Sequence, residues 1–176
     1  AADENAYHNV WEFEKLYPDW LHFSMSSLYV GGRASAVADK IAACREAQGT
    51  NDTIPWLTPG QDGEFPPDQQ RDQVLEAFLN GSIGITYYWR GQMDPLELKV
   101  IAETIEMLRP FEDIIMDGEP IANRLTSSSA KTKVCGMAKG DEALILVSAY
   151  KYARPQKTTV NSDISGDVYD CDTGER

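Results

Sequence analysis

Apolar residues along the first two thirds of the chain alternate between helical spacing and short continuous runs. Spacings of three and four predict helices over residues 5–17, 34–47 and 68–79, with a longer helix beginning at Asp94-Pro95. Short apolar runs predict strands over residues 20–26, 54–58 and 82–89. Strands that alternate with helices at about 30 residues per unit predict a parallel sheet with crossover helices.

The longest predicted helix has the clearest boundaries. Asp94 before Pro95 is typical of a helix N-cap, and Pro110 is predicted to end or kink the helix. Its predicted buried stripe consists of Leu98, Ile101, Ile105 and Leu108.

The alternation stops after Gly118. Residues 131–137 and 143–152 predict two strands joined by Lys139-Gly140-Asp141, and residues 158–160 and 167–170 predict further short strands. This pattern indicates antiparallel structure. We therefore predict a boundary between a first part, residues 1–118, and a second part, residues 119–176.

Two architectures fit the first part, an open doubly wound sheet and a closed barrel. No Gly-x-Gly-x-x-Gly sequence or phosphate-binding loop follows any predicted strand, which weakens the dinucleotide-binding alternative. The residues also predict neither a metal site nor a cofactor. The two histidines, His8 and His22, are too few and too far apart in sequence.

The charge of the chain argues against nucleic acid as a partner. Its 28 acidic residues outnumber 16 basic ones and give a net charge of −12, and no basic stripe is present to neutralise phosphates. No apolar run reaches the roughly 18–20 residues that a membrane-spanning helix requires.

The cysteines and two glycosylation sequons bear on the compartment. Cys44, Cys135 and Cys171 fit no zinc or redox motif; Cys135 and Cys171 could form a disulfide in the second part, whereas Cys44 is predicted to be a buried thiol. The sequons begin at Asn51 and Asn80. The odd number of cysteines leaves the redox compartment undecided, and the two sequons favour a secreted or extracellular protein.

A resemblance narrows the choice of architecture. The run VLEAFLNGSIGITYYW, residues 74–89, resembles the last strand region of glycoside-hydrolase (β/α)8 barrels. The run LRPFEDIIMDGEPI, residues 108–121, is similar to the last barrel helix and the exit into a C-terminal β-sandwich. The resemblance implies an α/β chain that supplies the last strands and helices of a TIM-type (β/α)8 barrel followed by an incomplete antiparallel β-sandwich.

The resemblance also implies partners and locations. The upstream barrel strands would come from another chain or from a region outside this sequence, because three strands cannot close a barrel. Asn51 and Asn80 would lie in loops on the N-terminal face of the barrel, away from the face that carries active sites in this fold. Glycans there would be solvated.

Carbohydrate is the ligand that the resemblance implies. Glycoside hydrolysis uses two carboxyl groups roughly 5–10 Å apart, and the resemblance puts that pair mostly upstream, so catalytic residues stay unassigned. The predicted substrate-binding residues follow or end the strands: Trp89, Tyr88, Arg90, Trp56, Asp62 and Glu64. Trp89 is the foremost candidate for stacking on a sugar ring, whereas loop acids such as Asp62 and Glu64 are more often simply solvated.

Three hypotheses of function remain open at this stage. The first is a fragment of an extracellular glycosidase-like protein. The second is a non-catalytic barrel that serves as a scaffold or sugar-binding subunit in an extracellular glycoprotein assembly. The third is an independent α/β domain with a β extension.

Overall fold

A computed structural model describes residues 34–48, 53–57, 67–87, 93–149 and 157–171, together with residues 23, 25, 27, 28, 173 and 175. The predicted helix over residues 5–17 lies outside these residues. The first described helices and strands are α1 (Ser35–Gln48), β1 (Trp56–Leu57), α2 (Pro67–Phe78), β2 (Thr86–Tyr87) and α3 (Pro95–Leu108). The predicted helices at 34–47 and 68–79 are confirmed to within one residue.

The strands of the first part run parallel to each other. In β1 and β2, Trp56 pairs with Thr86 and Leu57 with Tyr87. A parallel bridge between Ser27 and Trp56 adds the segment that precedes α1. Each strand is therefore connected to its neighbour through a crossover helix, as the alternating pattern predicted. Closure into a barrel stays a prediction.

Helix α3 begins at a full capping box. Asp94 Oδ1 accepts hydrogen bonds from the backbone N–H groups of Leu96 at 2.7 Å and Glu97 at 2.9 Å, and Glu97 Oε2 accepts one from Asp94 N at 2.8 Å. The predicted cap at Asp94 is thus confirmed. The helix ends at Leu108, where Pro110 imposes a 3-10 turn over Arg109–Phe111 before a short helix α4 (Glu112–Asp117).

The predicted buried stripe of α3 was half wrong. Ile101 and Leu108 are buried, but Leu98 is 54% exposed and Ile105 41% exposed. Their places in the buried row are taken by Glu97 and Thr104. Both polar side chains are satisfied within the helix, Glu97 by the capping box and Thr104 by a 2.7 Å hydrogen bond from its Oγ1 to Val100 O. Burial therefore does not leave them without hydrogen bonds.

The second part is antiparallel, as predicted. β3 (Glu119–Pro120), β5 (Lys133–Lys139) and β6 (Glu142–Ser148) form one sheet in the order β3-β5-β6, and β4 (Leu125–Ser127) pairs with β7 (Val160–Ser162). Gly140, with φ of 60°, forms the turn between β5 and β6. The predicted strand at 167–170 was wrong, since these residues form no strand in the structure.

In the part of the chain that the structure describes, two apolar cores hold the layers together, and α2 contributes to both. The first lies between the parallel strands and helices α1 and α2; it contains Leu28, Val37, Ile41, Cys44, Leu57 and Ala77. The second joins α2, α3 and α4 to the antiparallel sheet; among its members are Val74, Leu79, Leu108, Ile115 and Met137. Helix α2 is consequently enclosed between the parallel strands and the hairpin β5–β6.

The predicted disulfide is not formed in the structure. Cys135 is buried in β5 and its Sγ accepts a 3.4 Å hydrogen bond from Asn80 Nδ2, whereas Cys171 is exposed. Cys44 is a buried thiol, as predicted, and Thr53 Oγ1 lies 3.8 Å from its sulfur. Among the described residues, no helix is both long and apolar enough to cross a membrane.

Candidate functional site

The carboxyl ends of the parallel strands have two chemically different faces. Leu57 packs in the core beneath the helices. Because side chains alternate along a strand, Trp56 lies on the opposite face together with its partner Thr86. Ile54 and Gly84 also share that face, since a Cβ built on Gly84 would lie 3.6 Å from Ile54 Cγ1. We call these four residues the second sheet face.

Trp56 is the most distinctive residue of the second sheet face. It is half-buried and lies one residue before the end of β1. Across the ladder, Thr86 N donates to Pro55 O at 2.9 Å, and Thr86 Oγ1 donates to the same oxygen at 3.1 Å. These paired bonds hold β2 beside Trp56. An indole held on a strand end presents a rigid apolar surface of the kind on which the C–H face of a sugar ring can stack.

Tyr87, which the sequence did not single out, lies on the helix side of β2. Its ring packs against both cores, and its buried hydroxyl has no hydrogen-bond partner among the described residues. Burial raises the pKa of Tyr87 well above its ordinary value, and the neighbouring Glu97 carboxylate raises it further. A phenol with so high a pKa keeps its proton, so Tyr87 is suited to donating a hydrogen bond and unsuited to acting as a base.

Two glutamines near the start of α2 form an unusual buried polar pair. Gln70 and Gln73 are fully buried, and within the described part of the chain neither the nitrogen nor the oxygen of either side-chain amide has a hydrogen-bond partner. They share one face of α2 with Ala77, which packs in the same core as Leu57. Leaving a buried polar group unsatisfied costs about 1–3 kcal/mol, so a water molecule or polar ligand that bonded to these amides would stabilise this face of α2.

The acids that follow β2 are occupied structurally. Asp94 and Glu97 each accept backbone hydrogen bonds in the capping box of α3. They therefore do not form a free acid pair of the kind that glycoside hydrolysis requires. Within the described residues, no group of three or more histidine, cysteine or acidic side chains could hold a metal ion.

A buried ion pair connects α2 to the antiparallel sheet. Glu76 is fully buried, and its carboxylate lies 3.6 Å from the ammonium group of Lys133 in β5. Lys133 also donates to Ser35 O at 2.8 Å, which brings in the start of α1. The pair thus joins α1, α2 and β5 at one point.

Asn80, one of the two predicted glycosylation sites, belongs to this junction. Its side-chain nitrogen donates to Glu76 O at 2.7 Å and Glu76 Oε2 at 3.2 Å, and also contacts Cys135 Sγ. A glycan would bond to the same nitrogen, so glycosylation requires that the Asn80 side chain first give up these hydrogen bonds. Burial, followed by the nearby Glu76 charge, raises the pKa of Cys135 to about 12, which makes this thiol unreactive at neutral pH.

The structure describes only part of the predicted substrate-binding set. Trp56 is described and lies at the carboxyl end of β1. Tyr88, Trp89 and Arg90 follow Tyr87 in sequence and lie outside the described residues, as do Asp62, Glu64 and the sequon residue Asn51. Whether those side chains meet Trp56 stays a prediction.

Comparison with known proteins identified no relatives. No protein-family model matches the chain, and no match was found among curated proteins or solved structures.

Proposed function

We propose that this chain binds carbohydrate at the carboxyl edge of its parallel strands, as part of a barrel-type extracellular protein completed by another polypeptide segment. The observation that carries the proposal is the parallel pairing of Trp56 with Thr86. It puts a half-buried indole beside a neighbouring strand end, on the sheet face away from the helices. In parallel α/β folds, ligands bind at this edge.

The residues that the sequence predicted for sugar binding support the same edge. Tyr88, Trp89 and Arg90 come directly after β2, and Asp62 and Glu64 lie in the connection between β1 and α2. Carboxyl ends of neighbouring parallel strands lie on the same edge of a sheet, so both connections start there. Aromatic rings, a guanidinium group and carboxylates are together suited to the apolar faces and the hydroxyl groups of a sugar.

We favour binding without hydrolysis for the described part of the chain. Asp94 and Glu97, the first described acids after β2, are used to cap α3. A catalytic acid pair would therefore have to come from residues elsewhere. The proposal accordingly assigns this chain to ligand contact and leaves bond cleavage to a separate test.

The test is binding to a panel of polysaccharides, with Trp56 varied. Cellulose, xylan, chitin and starch would be used as insoluble probes, and binding would be measured by depletion from solution. Trp56→Ala should weaken binding about tenfold, equivalent to about 1.4 kcal/mol, whereas Trp56→Phe should retain most of it because a ring remains. Thermal unfolding of each variant separates lost contact from lost fold.

Two results would contradict the proposal. One is that the wild-type chain binds none of the four polysaccharides. The other is that it binds equally well when Trp56→Ala is folded. Release of chromophore from aryl glycosides, by contrast, would support sugar recognition but show that the chain also contains or recruits a catalytic acid pair.

A further inference from the structure

Asn80 and Gly81 lie in the turn that follows helix α2. Gly81 has a φ of 99°, a value that L side chains rarely adopt, and a Cβ built on it would overlap the guanidinium group of Arg45. Gly81 N donates to Phe78 O at 3.1 Å, and Gly81 O accepts a 2.9 Å hydrogen bond from Arg45 Nη1. Backbone conformation and packing therefore both require glycine directly after Asn80.

This requirement creates a chemically labile sequence. Asn80-Gly81 is the one asparagine–glycine pair in the chain. Because glycine has no side chain to shield its backbone nitrogen, that nitrogen reaches the preceding asparagine carbonyl more easily than in other pairs. In the first step, Gly81 N loses its proton and bonds to Asn80 Cγ, and Asn80 Nδ2 leaves as ammonia. Water then opens the cyclic imide at either carbonyl group and gives aspartate or isoaspartate.

We propose that Asn80 is a deamidation site whose reaction is controlled by opening of the junction between α2 and β5. The folded geometry opposes the first step at both reacting groups. Gly81 N is bonded to Phe78 O, and Asn80 Nδ2 donates to Glu76 O at 2.7 Å and to Glu76 Oε2 at 3.2 Å. These hydrogen bonds must break before Gly81 N can turn towards Asn80 Cγ. The reaction therefore proceeds from a locally opened state.

The product cannot restore the contacts that the asparagine makes. Glu76 O, Glu76 Oε2 and Cys135 Sγ all accept hydrogen bonds from Asn80 Nδ2. An amide nitrogen can donate to such atoms, whereas a carboxylate has acceptor oxygens alone. Deamidation therefore puts a second negative charge beside the fully buried Glu76 carboxylate, and the two charges repel each other. Isoaspartate would also lengthen the main chain inside the turn by one carbon atom.

The same contacts connect the reaction to the ion pair of the junction. Lys133 lies 3.6 Å from the Glu76 carboxylate, which in turn holds the amide of Asn80. A change that displaces Glu76 therefore also releases Asn80. Since the ammonia is lost to solvent, the junction cannot re-form with its original hydrogen bonds afterwards. Deamidation at Asn80 is thus an irreversible record of local opening.

Peptide mapping by mass spectrometry tests how folding controls the reaction. The full chain is produced without N-glycans, and conversion at Asn80 is followed with time. Asn80 should react at least about tenfold more slowly in the folded chain than in the chain unfolded by urea. Lys133→Met should accelerate the reaction of the folded chain at least about tenfold, whereas Lys139→Met, at an exposed ion pair, should leave it unchanged. If Lys133→Met does not fold, urea below the unfolding transition should accelerate the reaction in the wild-type chain.

Asn80→Asp tests the consequence for the fold. This variant should raise the equilibrium constant for unfolding about tenfold or more, because it replaces a donor by an acceptor beside a buried charge. Asn123→Asp makes the same charge change at an exposed position and should alter that constant little. Ion exchange separates reacted from unreacted wild-type chains, and their melting temperatures give the same comparison without a variant.

Three results would overturn the proposal. The first is that Asn80 reacts equally fast in the folded chain and in the urea-unfolded chain. The second is that Asn80 loses no ammonia in Lys133→Met or in urea below the transition. The third is that Asn80→Asp and the reacted wild-type chain are as stable as Asn123→Asp.

Discussion

The buried pair of Glu76 and Lys133 provides the sharpest test of how the two parts of the chain are joined. Lys133→Met keeps most of the apolar stem of the lysine but removes its charge. Glu76 would then be a fully buried carboxylate that has lost its ion pair with Lys133 and keeps the 3.2 Å hydrogen bond from Asn80 Nδ2. Breaking one side of a buried ion pair typically costs about 3–5 kcal/mol. Because Asn80 stays and the Lys133 side chain is 32% exposed, we expect a loss of about 2–3 kcal/mol in the free energy of unfolding.

Lys139 offers a matched control. Its ammonium group lies only 2.8 Å from Asp117, closer than the 3.6 Å between Lys133 and Glu76, but both Lys139 and Asp117 are exposed to solvent. Exposed ion pairs contribute about 0–1 kcal/mol. Lys139→Met should therefore lower the free energy of unfolding far less than Lys133→Met does, although its ion pair is the shorter one.

The assay is denaturant unfolding followed by tryptophan fluorescence and circular dichroism, with the free energy taken by linear extrapolation. Adding Glu76→Gln to Lys133→Met removes the stranded charge and should recover more than half of the loss. The reasoning is refuted if Lys133→Met costs no more than Lys139→Met, or if the double variant is as unstable as Lys133→Met alone.

Two further predictions concern individual helices. Burial, followed by the neighbouring Asp68 charge, raises the pKa of Asp72 to about 6, although Arg71 acts in the opposite direction. The folded chain therefore binds more protons than the unfolded chain between pH 4 and pH 6. The free energy of unfolding should consequently fall as pH rises through this window. Asp72→Asn should remove that pH dependence and stabilise the chain at pH 7 by about 1 kcal/mol after allowance for solvent screening, with no gain at pH 3. Melting temperatures measured across this pH range would show the effect. An unchanged pH profile would contradict the prediction. On α3, Ile101→Ala should cost about 2–4 kcal/mol because Ile101 is buried, whereas Ile105→Ala should cost less than about 1 kcal/mol; equal losses in denaturant unfolding would show that the exposed row is covered in solution.

The sequence predicted best those helices whose ends are marked by local capping residues or prolines. Asp94 and Pro95 begin α3 through a capping box that involves only local residues, and Pro110 ends it. The turn at Gly140 likewise needs a residue that accepts positive φ, so the hairpin β5–β6 was predicted in its correct place. Such signals are contained within a few residues and do not depend on the rest of the fold.

Predictions failed where packing between distant segments decides the outcome. The rows Leu98/Ile105 and Ile101/Leu108 are equally apolar in sequence, and only the position of α2 and the antiparallel sheet determines that the second row is buried. Glutamine is a residue type that usually stays exposed, yet Gln70 and Gln73 are fully buried. No periodicity predicts a polar residue whose burial is imposed by neighbours on every side.

Helix α2 links the candidate site to the antiparallel sheet. Ala77 packs beside the parallel strands, whereas Glu76, one residue earlier, is held by Lys133 of β5. Rotation of α2 that displaced Glu76 from Lys133 would therefore also move Gln70 and Gln73 relative to the strand ends. The antiparallel sheet contributes no residue to the second sheet face. It thus orients α2, the helix on the other side of the parallel strands. Loss of ligand binding in Lys133→Met, in a variant that stays folded, would be the signature of that coupling.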